Sequence, residues 1–106
     1  MVSAQMESPF KVGFSNPRGW LAYWLNGTLF VKHAEYNALA EYYDFGSSSE
    51  CYCNDKFLEL ETLGSVCDVM PNETISHVEI WDLHRGVERP QNEQDVRLLV
   101  EKYALE

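Results

Sequence analysis

The chain reads as a mainly β protein, an antiparallel β-sandwich or curved sheet carrying one C-terminal α-helix. Three observations predict this class. Asn26-Gly27 stands between two runs rich in aromatic and β-branched residues, further short runs of that kind are separated by turn formers, and one helical stripe lies at the C-terminal end.

Residues 1–9 show no periodicity and read as a flexible arm, which leaves residues 10–106 as a single β-rich domain. Phe10 to Phe14 is the first strand, and Ser15 to Gly19 is a cluster of turn formers. Trp20 to Leu25 and Thr28 to His33 then form a tight hairpin, because Asn-Gly adopts the positive φ angles that a two-residue type I′ turn requires. Apolar residues on both faces of this hairpin require each face to be at least partly covered. Glu35 to Asp44 mixes helical and strand spacing and reads as irregular, and Gly46-Ser47-Ser48-Ser49 reads as a flexible loop.

Glu50 to Cys53 and Lys56 to Leu63 are strands around the turn residues Asn54-Asp55. Val66 to Met70 is a short strand, Pro71-Asn72-Glu73 a turn, and Thr74 to His84 a long strand. A helix follows over about residues 92–104, with Asn92 as N-cap, Asp95 three residues on, and an apolar face of Val96, Leu99, Val100 and Tyr103. Leu105-Glu106 reads as a vector remnant and carries no argument about fold or function.

A length of 106 residues, 45% apolar and 24% charged, fits one domain with one core. A core of that size depends on good packing or on a second chain, so a homo-oligomer (a dimer) is expected. Seventeen acidic against eight basic residues give a net charge of -9, which repels a phosphate backbone and excludes nucleic acid as a partner. No apolar run reaches the roughly 20 residues of a membrane span, and Met1 to Met6 lacks the features of a signal peptide. A soluble, cytoplasmic protein is the expectation.

Cys51, Cys53 and Cys67 are an odd, closely spaced set that fits reduced thiols better than a disulfide framework. Cys51-Tyr52-Cys53 puts two thiols on one strand face, where Cys67 or His77 would complete a metal set. Zinc sites favour C-x-x-C loops and a second pair, so these are read as buried thiols, with no metal and no cofactor.

The ionisable groups inside strand-like segments are the candidate site. Alternation puts Glu59 and Glu61 on one face of their strand and His77, Glu79 and Trp81 on one face of theirs. If the two strands pair with those faces aligned, the five residues form a patch that binds a sugar or another polar small molecule. The competing reading leaves Glu59 and Glu61 on a solvated face with Leu58 and Leu60 on the core side. Trp20, Tyr23, Trp24, Tyr42, Tyr43 and Trp81 serve equally as core, as interface or as rings for stacking a sugar. The helix face Val96, Leu99, Val100 and Tyr103 is either packing against the sheet or a subunit contact.

Gly19-Trp20-Leu21-Ala22-Tyr23, Leu29 to Lys32, Phe57 to Gly64, Met70-Pro71 and His77 to Leu83 together resemble the C-terminal part of uncharacterised bacterial galactose-mutarotase-like proteins. Those relatives are similar to aldose 1-epimerases. The resemblance implies part of a mutarotase-like supersandwich, a sugar on a sheet face, and a match of Glu61 to the family's catalytic Glu, with Glu59 as the register alternative. The family's catalytic His lies in an N-terminal half outside this chain. Three functions follow as expectations: binding of a carbohydrate or similar molecule, a non-catalytic protein–protein assembly module, and epimerase-like proton transfer through Glu61.

Overall fold

The computed structural model describes residues 8–105. Most of the expected N-terminal arm and Glu106 lie outside them. The elements are β1 (Phe10–Phe14), β2 (Trp20–Leu25), β3 (Thr28–Ala34), α1 (Tyr43–Gly46), β4 (Ser49–Cys53), β5 (Leu58–Thr62), β6 (Glu79–Arg85) and α2 (Glu93–Lys102). They build two antiparallel three-stranded sheets, ordered β1-β4-β5 and β2-β3-β6. The mainly β class with one C-terminal helix is thus what the chain adopts.

The β2–β3 hairpin closes with Leu25 opposite Thr28, and Asn26 and Gly27 take φ angles of 48° and 80°. This is the backbone that Asn-Gly permits at little steric cost. The β4–β5 hairpin is closed by Asn54, whose Oδ1 accepts from the N–H groups of Lys56 (2.8 Å) and Phe57 (2.9 Å).

Register decides which face each side chain takes. One face of β2-β3-β6 carries Trp20, Ala22, Trp24, Leu29 and Val31, with Ile80, Asp82 and His84 at the β6 side. Leu29 and Val31 are buried there with Val87 and Leu105, and Leu99 and Val100 of α2, with the C-cap Tyr103, pack onto the cluster. The Trp24 indole N–H donates to the Val87 carbonyl at 2.8 Å, and the Tyr103 ring stacks on His84 at 4.1 Å. The opposite face carries Leu21, Tyr23 and Leu25, then Phe30 and Lys32, then Glu79, Trp81, Leu83 and Arg85. It meets the β1-β4-β5 sheet at one end only.

Helix α2 begins as its sequence requires, with Asn92 Oδ1 accepting from the Asp95 N–H at 2.9 Å. Its C-terminus is a Schellman motif. Ala104 adopts φ 53°, its N–H donates to Glu101 O, and the Leu105 N–H donates to Val100 O. Leu105, set aside as a vector remnant, is therefore folded back into the core cluster and only 5% exposed.

Other expectations are corrected. Val66 to Met70 and residues 74–78 are not strands, because among the described residues no strand edge pairs with them, and Asn72 at φ 71° turns the chain between them. Gly46 to Ser49 is not a flexible loop: Ser47, Ser48 and Ser49 are all buried. The Ser48 N–H donates to Phe14 O, Ser48 O accepts from the Leu63 N–H, and Asn16 bonds the hydroxyls of Ser48 and Ser49. A Cβ on Gly13 would meet Ser47 Oγ at 2.5 Å, so this closure needs glycine there.

The two sheets meet at a corner and do not stack over their whole area. The radius of gyration is 15.4 Å, against about 13 Å for a compact chain of this length. The exposed surface is 7993 Å², where a compact monomer of this mass exposes about 6,100 Å².

Candidate functional site: a polar seam between the sheets

Strands β5 and β6 do not pair, since they belong to different sheets. Alternation along β5 places Leu58, Leu60 and Thr62 on the face that carries Cys51 and Cys53, and Glu59 and Glu61 on the other. Glu61 accepts from Lys11 Nζ at 3.3 Å on that outer face, and Glu59 is exposed. Glu50, between Lys11 and Glu61 in the sheet, is buried, and burial first, then Asp44, pushes its carboxyl above the usual carboxylate range.

The other three expected residues converge on Thr62. Thr62 Oγ1 donates to Glu79 Oε1 at 2.6 Å and lies 2.8 Å from His77 Nε2. A hydroxyl has one proton, so a Thr62 hydroxyl that donates to Glu79 accepts from the Nε2–H of His77. Glu79 Oε1 also accepts from Lys32 Nζ at 3.0 Å, and Oε2 accepts from the Trp81 indole N–H at 3.0 Å. Lys32 Nζ donates in addition to the Leu60 carbonyl at 2.7 Å, which ties β3 to β5. Partial burial alone would raise the Glu79 pKa. The hydrogen bonds from Thr62, Lys32 and Trp81, with the charge of Lys32, outweigh it and bring the carboxyl down to about 2.

The seam thus unites His77, Glu79 and Trp81 and leaves out Glu59 and Glu61. It also contains Lys32 and Thr62, which the sequence reading missed. Lys32 had a visible signal: once Asn-Gly fixes the hairpin register, Lys32 lies opposite Leu21 in the interior of a sheet, where an ammonium group needs a carboxylate.

Chemically, the seam is a fastening. A general base at neutral pH works best with a pKa near the ambient value, and a carboxylate held at about 2 with both oxygens bonded is a weak one. The recess beside it, lined by Asn16, Gly19, Ala34, Glu35, Tyr36, Ser48, Ser49 and Thr62, is shallow, about 170 Å³ including open solvent. Cys51 and Cys53 are buried, and burial raises the Cys51 thiol pKa, the behaviour of a packing residue. Among the described residues no three His, Cys, Asp or Glu side chains group as a metal site, and no helix is long and apolar enough to cross a membrane.

Of the expected helix contacts, Leu99, Val100 and Tyr103 pack on the chain's own core and Val96 is half-buried. No family model, curated protein or solved structure matches the chain.

Proposed function

We propose that the protein is a non-catalytic assembly module and that β6 is its contact element. One observation carries this reading. β6 is an edge strand of seven residues whose Ile80, Trp81 and Leu83 are 62%, 65% and 69% exposed. Natural edge strands are normally shortened or covered, because a long open edge recruits another strand; β6 carries Glu79, Asp82, His84 and Arg85 but is neither short nor covered, and it presents three large apolar side chains to solvent.

The carbohydrate reading draws on the exposed Trp81 ring beside Glu79. Both Glu79 oxygens are already bonded within the chain, so a sugar hydroxyl would have to compete with Thr62, Lys32 or Trp81 itself. Titration of a panel of neutral and acidic monosaccharides, followed at the Trp81 indole N–H by NMR, separates the two. Assembly predicts no saturable shift up to about 10 mM sugar. A saturable shift of the indole and of the Glu79 amide would overturn it in favour of ligand binding.

A further inference from the structure

The edge of β6 has a defined hydrogen-bonding polarity. Leu25 and Thr28 close the two-residue hairpin and exchange both backbone bonds, and the Ala34 N–H donates to Gly19 O. The even-numbered residues of β3 therefore bond toward β2 and the odd-numbered ones toward β6. Leu29, Val31 and His33 lie opposite His84, Asp82 and Ile80, so those three β6 residues bond inward. By that register the backbone groups of Trp81 and Leu83 are left pointing outward, and among the described residues no turn or loop backbone bond reaches them.

What this edge accepts can be read by pairing it with itself. An antiparallel copy centred on Asp82 would set Asp82 against its own symmetry mate, a like-charge pair in direct opposition. Centring on Trp81 would set Ile80 against Asp82 and Leu83 against Glu79, apolar side chains directly opposite carboxylates. Centring on Leu83 opposes Leu83 to Leu83, Trp81 to Arg85 and Asp82 to His84. These are an apolar pair, an aromatic ring with a guanidinium, and a carboxylate with an imidazole, and no like charges meet. Five residues, Trp81 to Arg85, then pair with outward backbone groups facing outward ones.

Resting on the assembly reading, we propose that the occupant of this edge is a second copy of the chain, paired β6 to β6 about a twofold axis at Leu83. The result is a continuous six-stranded sheet, β2-β3-β6-β6′-β3′-β2′, whose isologous contact is of the kind most soluble dimers use. The second copy also flanks Trp81 and Leu83 on one face and Asp82 and His84 on the other.

The test uses the whole chain and Leu83→Pro. The Leu83 N–H is not used within the fold and proline is tolerated on an edge, so the variant keeps its structure while losing a bond on each side of the axis. Light scattering over a concentration series is expected to show a dimer for the parent and a weakening of at least about tenfold for Leu83→Pro, with unchanged circular dichroism. Leu83→Lys serves as the second variant should proline disturb the strand. Register is read by single cysteines at positions 81, 82 and 83 in a Cys67→Ser background with a short bismaleimide, where Leu83→Cys should cross-link fastest. A monomer at every concentration, a dimer indifferent to both Leu83 variants, or fastest cross-linking at 81 or 82 would each overturn the proposal. A monomer without a sugar response would leave assembly with a different protein standing; a saturable sugar shift would remove the assembly reading itself.

Discussion

Among the described residues two lysine–glutamate pairs do opposite things. Lys11 and Glu61 meet at 3.3 Å on the outer face of β1-β4-β5, with side chains 48% and 30% exposed. Lys32 and Glu79 meet at 3.0 Å between the sheets, with side chains 11% and 23% exposed. In water the first pair gains little, because solvent screens it and two long side chains must be ordered. The second is partly removed from solvent and tied to Thr62, Trp81 and the Leu60 carbonyl, so losing one partner strands the other. The same two residue types decorate one sheet and fasten it to the other.

Removing one cation at a time exposes that difference. Lys32→Met should destabilise the protein most, by about 2 kcal/mol or more and roughly 10 °C in Tm, because Glu79 and Leu60 O lose their shared donor. A Tm within 2 °C of the parent, about the scatter expected of a surface change, would show that the seam holds nothing together. Acid titration should show the next largest effect. The folded Glu79 pKa of about 2 lies below its ordinary value of 4.5, so its contribution is complete above that ordinary value and is lost as pH falls toward about 2. Glu79→Gln should be less stable at pH 7 and should flatten that acid limb; an unchanged limb would mean that other carboxylates set it.

Glu50→Gln works in the opposite sense. Its folded pKa is raised, so ionised Glu50 disfavours the fold at neutral pH, and the amide should raise Tm at pH 7 with a gain that fades as the parent residue becomes protonated in acid. A loss of stability at pH 7 would show that Glu50 is needed as an anion for Lys11. The smallest effect is expected from Lys11→Met, which should leave Tm within experimental scatter; a large drop would erase the contrast between the pairs.

What the sequence discloses follows from how local each feature is. The Asn26-Gly27 hairpin and the Asn92 cap were legible because the residues that make them sit side by side. Thr62, a neighbour of the candidate Glu61, went unread, since the face it occupies acquires meaning only when β6 arrives from another sheet. Residues 74–78 alternate like a strand, yet alternation cannot supply a partner edge. Ser47, Ser48 and Ser49 have loop composition, and are buried because Asn16 and the backbone satisfy their polar groups from more than thirty residues away for the last two. Leu105 has the look of a vector remnant in the sequence, and only the left-handed turn at Ala104 sends it back to the core.

The three indoles also make the protein a reporter on itself. Trp20 and Trp24 pack against the core beneath α2, whereas the Trp81 ring stands on the open edge and is 65% exposed. Iodide in solution should therefore quench mainly the red-shifted emission of Trp81, while the bluer light from the other two persists. Any occupant of β6 would shield that ring from collision, so the quenchable fraction of the fluorescence offers a label-free optical gauge of whether the edge is covered.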